Sequence, residues 1–219
     1  MTRVKICGLT DETDLAAAVE AGADAVGVIC DVGVETPREV SVERARSLVA
    51  ATPPFVTTVL VTMPNGPERA IELVERVEPD AIQLHGALPP GDLAYVRSRV
   101  EAKLIVAIGV DDVRDVARYE DLVDAIIVDS VDDSGAGGTG ETHDWERTSE
   151  AVDSLETPVV LAGGLGPSNV ASAIGAVDPY GVDVASGVEA SDGRKDHDAI
   201  RAFVGNATAA RSRSNLVEH

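Results

Sequence analysis

The stretch Val4–Ile29, VKICGLTDETDLAAAVEAGADAVGVI, contains two short apolar runs separated by one amphipathic segment. The runs Val4–Ile6 and Ala25–Ile29 predict β-strands, because both are short, apolar and rich in β-branched residues. Asp11–Ala21 predicts a helix, because its apolar residues recur at helical spacing and Gly22 can end it. A strand, a helix and a second strand in this order predict two parallel strands joined by a helical crossover.

The same alternation continues along the rest of the chain. Further strands are predicted at Phe55–Val61, Ala81–Leu84, Leu104–Ile108, Ala125–Val128, Val159–Leu161 and Val182–Val184. Further helices are predicted at Ser41–Ala51, Pro67–Val77, Gly91–Val100, Asp112–Tyr119, Glu146–Ser154, Pro167–Ala176 and Asp196–Ala207. Eight such units predict a single-domain (β/α)8 TIM barrel over residues 1–208, followed by a flexible tail over 209–219. A doubly wound open sheet is the alternative, but it usually has fewer units and often a G-x-G-x-x-G loop after its first strand.

The composition excludes several classes of partner. Acidic residues outnumber basic ones 38 to 18, which gives a net charge of −20 spread over the whole chain. Such a surface repels nucleic acids and anionic membranes, and it is typical of a salt-rich cytoplasm, where salt screens the self-repulsion. The apolar runs are too short to span a bilayer and the N-terminus does not resemble a signal peptide, so we expect a cytoplasmic protein.

The cysteines, Cys7 and Cys30, do not form a C-x-x-C pair. A single disulfide bond between them would also stabilise a domain of this size only weakly. Neither a structural zinc site nor a disulfide framework is therefore expected. The His, Asp and Glu residues show no metal-ligand spacing, and no Ser-His-Asp arrangement is evident.

Active sites of this fold lie at the carboxyl ends of the strands, so polar residues at those ends are candidates. Predicted strands 1 to 6 lead into Cys7, Cys30 and Asp31, Thr62, His85, Asp111 and Asp129, and the last two lead into Gly163-Gly164 and Ser186-Gly187. Glycines allow backbone N–H groups to approach an anion closely. Each pair alone is also typical of a tight turn, but two pairs in the two loops that often bind phosphate predict a phosphate site.

Two of these residues have the chemistry of an acid–base pair. A thiol such as Cys7 can act as a base near cationic groups, although free cysteines are equally often buried structural residues. Asp129 ends the apolar strand Ala125–Val128, and apolar neighbours favour the protonated form that a general acid needs. From its position alone, Asp129 is as well explained by a helix cap or by a partner for a nearby arginine as by a general acid. His85 is expected to line the site rather than to react.

Seven motifs taken together resemble those of the phosphoribosylanthranilate isomerase family of tryptophan biosynthesis. They are VKICGLT (Val4–Thr10), ADAVGV (Ala23–Val28), QLHG (Gln83–Gly86), GGTG (Gly137–Gly140, followed by His143-Asp144-Trp145), LAGGLGPSNV (Leu161–Val170), GVDVASGVE (Gly181–Glu189) and GRKDHDAI (Gly193–Ile200). Any one of them alone is weak, but the combination is specific and extends over nearly the whole chain.

The resemblance implies a cofactor-free and metal-free Amadori rearrangement of N-(5-phosphoribosyl)anthranilate to 1-(2-carboxyphenylamino)-1-deoxyribulose 5-phosphate. It makes Asp129 the general acid and Cys7 the general base. It also implies that Arg38 binds the anthranilate carboxylate, that His85 lines the site and that Asp183 meets a sugar hydroxyl. The implied phosphate site consists of Gly163, Gly164, Ser186 and Gly187. The expected partner is one phosphorylated small molecule, and the expected form is a monomer or a homodimer.

The sequence departs from this family at three places. The family commonly has an aromatic-rich stretch that ends in Ser-Pro-Arg, and this chain has ICDVGVETPREV (Ile29–Val40) in its place. Predicted strand 3 leads into Thr62-Met63 where the family commonly has a Phe-Val-Asn-like ending. The triplet ASG before Val188 replaces the common SSG. Two alternatives therefore stay open. One is a related sugar-phosphate epimerase or decarboxylase, which usually needs metal-binding His and Asp residues or a lysine at a strand end. Lys5 lies inside predicted strand 1 and is the only lysine near a strand end before Lys103. The other is a non-catalytic scaffold, against which the presence of both Cys7 and Asp129 argues.

Overall fold

A computed structural model of the protein describes residues 2–86, 88–113, 120–129, 145–191 and 193–217. Its strands are β1 (Arg3–Ile6), β2 (Ala25–Ile29), β3 (Thr57–Thr62), β4 (Ala81–His85), β5 (Lys103–Gly109), β6 (Ala125–Asp129), β7 (Val159–Ala162), β8 (Gly181–Val184), β9 (Glu189–Ser191) and β10 (Arg194–Lys195). Its α-helices are α1 (Glu12–Glu20), α2 (Val42–Ala51), α3 (Pro67–Val77), α4 (Pro90–Arg99), α5 (Trp145–Asp153), α6 (Val170–Val177) and α7 (His197–Val217). Among these residues, no helix combines the length and the apolar character that a membrane span requires.

Strands β1 to β8 form a closed ring. Each strand pairs in parallel with the next one in the chain, and β8 returns to pair with β1 through Arg3↔Gly181 to Ile6↔Val184. A single 3₁₀ turn, Ser186–Val188, then leads into the antiparallel pair β9–β10. The closure confirms the predicted (β/α)8 barrel and removes the open sheet as an alternative, because an open sheet would leave two unpaired edge strands.

The main apolar layer lies between the strands and the helices. Because successive side chains of a strand point to opposite faces, every second residue of each strand contributes to this layer. Its fully buried members include Ile6, Leu60, Ile82, Leu84, Leu104, Ile126, Leu161 and Phe203. The layer explains why the amphipathic segments fold as helices, since each one covers apolar strand residues with its own apolar face.

The remaining strand residues point into the barrel. Cys7 packs in an inner cluster with Val59 and Val61, and Ile127 packs in a second one with Ala107. The interior is therefore filled by side chains, as expected for a ring of eight strands. The same alternation decides which side chains at the carboxyl ends of the strands point inward, and the candidate site residues lie at those ends.

Several predicted bounds differ from the observed ones, most clearly those of β3 and α7. Strand β3 begins at Thr57 rather than at Phe55, whose φ of 76° places it in the left-handed region and whose side chain is fully exposed. A turn closes before it, in which Val56 N–H donates to the carbonyl of Pro53, so the β propensity of this Phe is overridden. Most of the predicted helix Asp112–Tyr119 lies outside the described residues. Helix α7 continues to Val217, past its predicted end at Ala207, and the proposed division into barrel and tail stays a prediction.

Candidate active site

The two candidate acid–base residues lie at the same end of the barrel. Cys7 follows β1 directly, and its N–H donates to the carbonyl of Val184, which continues the pairing of β1 with β8. Asp129 is the last residue of β6 and pairs in register with Ala162 of β7. The alternation along each strand directs both side chains inward, because Ile127 is part of an inner cluster and Cys7 packs in another. The thiol is buried and the carboxyl group is partly exposed.

A buried ion pair lies beside Cys7. Lys5 Nζ donates to Asp183 Oδ2 at 2.8 Å, and both side chains are more than nine-tenths buried. Burial opposes the charge on Lys5, but the nearby Asp183 carboxylate and Cys7 outweigh that effect and raise the pKa of this lysine. Among the described residues, Asp183 Oδ1 and Gln83 Oε1 are buried oxygens without a hydrogen-bond partner. Buried oxygens of this kind are unfavourable unless a ligand or water bonds them, so they mark the barrel interior as a polar site.

Arg38 crosses the mouth of the barrel from the loop after β2. Its Nε and Nη2 donate to both carboxylate oxygens of Glu189 at 2.7 and 2.9 Å, which fixes the plane of the guanidinium. Lys195 Nζ donates to the same carboxylate at 2.9 Å and to the carbonyl of Ala185. Burial raises the pKa of Glu189, but the hydrogen bonds from Arg38 and Lys195 prevail and lower it, so the group stays ionised.

The arginine also lies directly over the residue that follows Cys7. A side chain at Gly8 would place its Cβ 2.8 Å from Arg38 Cδ, and Gly8 has a φ of 73°. Only glycine allows this approach without displacing the guanidinium. Arg38 therefore lies over the residue next to Cys7, and its guanidinium pairs with Glu189 of β9.

The loops after β7 and β8 are in direct contact. A Cβ at Gly187 would lie 1.9 Å from the carbonyl oxygen of Leu165, so no other residue fits there unless the loops separate. Gly163 and Gly164 have φ values of 85° and 59°. Asn169 holds the first loop by accepting from Gly166 N–H at 2.8 Å and donating to the carbonyl of Gly164 at 2.9 Å. The structure thus brings into contact the two loops that contain the four residues predicted to bind phosphate, with Ser186 and Gly187 exposed.

The other strand-end residues have different surroundings. His85 ends β4 and is exposed at the mouth. Asp31 forms a bidentate pair with Arg69 of α3, and Thr62 donates to the carbonyl of Asp31, so these residues join the loop to a helix. Burial raises the pKa of the Cys30 thiol to about 11. The motif Gly137–Gly140 lies outside the described residues.

Three residues of this site had no role in the mechanism that the resemblance implies. They are Lys5, Glu189 and Lys195, and all three carry charges that are buried or nearly so. Each lies within a motif that was recognised as a whole, VKICG, ASGVE or GRKDH, so charged residues inside an otherwise apolar or glycine-rich motif were the available signal. Their partners are more than 150 positions away along the chain in two of the contacts, which no local pattern shows.

Fold and site define the chain as an enzyme of the (β/α)8-barrel class, with its functional groups at the carboxyl ends of the strands. A family model described as N-(5'phosphoribosyl)anthranilate (PRA) isomerase matches residues 4–206. The chain belongs to this isomerase family, which acts in tryptophan biosynthesis.

Individual relatives agree with this assignment. The N-(5'-phosphoribosyl)anthranilate isomerase of the halophile Halobacterium salinarum is 64% identical over 212 residues, which cover 95% of this chain and 97% of the relative. A solved phosphoribosylanthranilate isomerase in complex with reduced 1-(o-carboxyphenylamino)-1-deoxyribulose 5-phosphate has a TM-score of 0.80 and 38% identity, covering 95% of this chain and all of that one. Monomers of the dimeric Thermotoga maritima enzyme have a TM-score of 0.79 and 34% identity over 95% and 100% of the two chains.

Proposed function

We propose that this chain rearranges N-(5-phosphoribosyl)anthranilate through Asp129 as general acid and Cys7 as general base. The observation that carries the proposal is their placement: both side chains point inward at the same end of the barrel, from strands on different sides of the ring. A thiol and a carboxyl group so arranged can act on one sugar ring from two directions. The solved relative bound to a reduced 5-phosphate product analogue supports a ligand of this class.

The proposed reaction begins at the furanose ring. Asp129 protonates the ring oxygen, the C1–O bond breaks, and the nitrogen lone pair forms a Schiff base with sugar carbon 1. The positive nitrogen acidifies the proton on carbon 2, so the Cys7 thiolate can remove it and form an enolamine. The enolamine gains a proton on carbon 1 and loses the hydroxyl proton on carbon 2. The sum is an isomerisation, and no electrons are gained or lost.

The remaining contacts of the substrate follow from the positions of the other residues. Arg38 binds the anthranilate carboxylate beside Cys7, with its guanidinium held in place by Glu189. Asp183 accepts a hydrogen bond from a ribose hydroxyl through Oδ1, and His85 lines the mouth. The phosphate binds to backbone N–H groups of Gly163, Gly164 and Gly187 and to Ser186, where the two loops touch.

Substrate turnover tests the assignment. Purified protein in molar salt is given phosphoribosylanthranilate without added metal, and the loss of anthranilate-type fluorescence is followed; molar salt screens the net charge of −20. We expect turnover, and we expect Cys7→Ala and Asp129→Ala each to lower kcat by about 10²-fold or more with an unchanged circular dichroism spectrum. Cys30→Ala, the matched control, should retain kcat within about twofold. Full activity in both the Cys7 and the Asp129 variants would contradict the proposed chemistry.

The assembly and the location of the chain are also proposals. Monomeric forms of a dimeric enzyme are known among its solved relatives, so a monomer or a homodimer is the expected form. The acidic surface argues against nucleic acids and anionic membranes as partners, and a cytoplasmic location fits a biosynthetic enzyme of this family. Sedimentation of the protein in molar salt distinguishes the two oligomeric states.

A further inference from the structure

The side chains of Lys5 and Cys7 share one small space inside the barrel. They are two positions apart and therefore point to the same face of the chain at β1. The position that a Cβ would take at Gly27 on the neighbouring strand lies 2.8 Å from Cys7 Sγ and 3.2 Å from Lys5 Cε. The sulfur and the carbon that carries the ammonium group thus lie side by side against a residue that has no side chain.

The ammonium group is fixed from the other side. Asp183 pairs with Lys5 in the register between β8 and β1, and its Oδ2 accepts from Lys5 Nζ at 2.8 Å. With 6% of Lys5 and 8% of Asp183 exposed, water screens this pair weakly. One oxygen of the carboxylate therefore holds the lysine, and the other, Oδ1, lacks a hydrogen-bond partner among the described residues.

Within the part of the chain that the structure describes, three charged groups act on the sulfur. They are Lys5 on β1, Asp183 on β8 and Lys195 on β10, while the neighbouring β2 contributes Gly27 and the inner cluster contributes apolar residues. Burial raises the pKa of the Cys7 thiol and Asp183 adds to the increase, but Lys5 and, less strongly, Lys195 oppose it. A base in such a place needs a compensating cation, because an isolated thiolate would be strongly destabilised by burial.

We propose that Lys5 is a positioning residue for the general base, whose buried ammonium group, anchored by Asp183, stabilises the Cys7 sulfur as a thiolate when it removes the substrate proton. The inference rests on the proposed role of Cys7. It gives one ion pair two functions, since Lys5 stabilises the anionic sulfur and at the same time orients Asp183 so that Oδ1 is directed to the sugar. It also explains why a lysine occupies the interior of β1, where an apolar residue would be less costly to bury.

The titration of the Cys7 thiol tests the proposal without substrate. The ultraviolet absorbance of the thiolate is followed against pH, and the signal of Cys7 is isolated by subtracting a Cys7→Ala protein in the same background. We expect Lys5→Met, which keeps the length and removes the charge, to shift the Cys7 midpoint upward by about one pH unit or more. The thiolate fraction at neutral pH should then fall about tenfold for each unit of the shift. Lys103→Met, in which an exposed lysine at the opposite end is changed, should leave the midpoint in place.

A second variant keeps the test decisive if Lys5→Met does not fold. Asp183→Asn removes a negative charge and leaves the ammonium group, so we expect the Cys7 midpoint to move downward. An unchanged midpoint in folded Lys5→Met, or an unchanged or higher midpoint in Asp183→Asn, would overturn the inference.

Kinetics separate this inference from the proposed function. The pH profile of kcat for Lys5→Met should keep its shape and move to higher pH, which a merely structural loss would not produce. If Cys7→Ala is inactive but the Lys5 variants titrate like the parent protein, only the role of Lys5 fails. If Cys7→Ala is fully active, the proposed base itself is wrong.

Discussion

The two ends of the barrel contain carboxylates with nearly the same partners and different surroundings. At the carboxyl end, Glu189 accepts from Arg38 and Lys195, and the side chains of Glu189 and Lys195 are 7% and 0% exposed. At the amino end, Asp124 accepts from Arg97 and Lys103, which are 41% and 68% exposed. Arg38 at the carboxyl end is 24% exposed, so water screens the second group more strongly than the first. From this comparison we expect the carboxyl end to hold its cations for binding and the amino end to use its ion pairs for stability.

The amino end also shows a repeated arrangement of aspartates. Asp24, Asp80 and Asp124 each precede an even-numbered strand within the pattern Asp-Ala-Val or Asp-Ala-Ile. Their carboxylates accept from Val4 N–H, Thr58 N–H and Leu104 N–H on the preceding strands at 2.8 to 2.9 Å. Each aspartate thus ties the start of one strand to the next, which is a stabilising role independent of any ligand.

The largest expected effect is at the contact between the loops after β7 and β8. Gly187→Ala places a methyl group 1.9 Å from the Leu165 carbonyl oxygen, so the loops must separate. We expect kcat/KM to fall about 100-fold, because a displacement of about 1 Å at a binding site has effects of that size. Gly175→Ala in α6 is the control, since its Cβ meets no atom within 4 Å, and it should stabilise the protein by about 0.5 kcal/mol without changing turnover. Normal kinetics in Gly187→Ala would show that this contact is not part of the binding site.

The second effect distinguishes the two carboxylates directly. Glu189→Gln removes the charge that orients Arg38 and compensates Lys195, so we expect kcat/KM to fall about tenfold or more, mainly through KM. Steady-state fluorescence assays measure both constants. Arg38→Met should lower kcat/KM to a similar extent, and the double variant should lose little more, because the two residues act as one unit. If the losses of kcat/KM in the two single variants add fully in the double variant, Glu189 and Arg38 act independently of each other.

The third effect is the matched change at the amino end. Asp124→Asn should lower the free energy of unfolding by about 1 kcal/mol, because the exposed ion pairs contribute little and the backbone hydrogen bond to Leu104 is only weakened. Denaturant titration in molar salt measures this loss. The kcat/KM value should stay within about twofold of the parent value. A tenfold loss of turnover would contradict the division of roles between the two ends.

The smallest effect concerns Cys30, which is 2% exposed and whose pKa is raised by burial to about 11. A thiol whose pKa is higher in the folded than in the unfolded protein adds stability below the unfolded value of 9.0, and this contribution is lost as the pH rises toward 11. Cys30→Ala should therefore lose Tm less steeply than the parent protein as the pH rises over this alkaline range. Parallel Tm curves for the two proteins would show that Cys30 does not titrate differently on folding.

Much of the architecture was predictable because it depends on local patterns. The strand and helix periodicities located β1, β2, α2 and α3 almost to the residue. The error at Phe55 arose where a turn overrode strand propensity. The candidate site residues at strand ends could be predicted because this fold places its active site there. The ion pairs of Lys5 with Asp183 and of Arg38 with Glu189 were not predictable, because each joins residues far apart in the chain.

The sequence by itself determined the alternation of strands and helices, the acidic surface and the family, since all three depend on residue types and their order. Only the tertiary structure decided which charges share the barrel interior and which loops touch. The physical reason is that closure of the ring makes β8 the neighbour of β1, which brings Asp183 to Lys5 and Glu189 to Arg38.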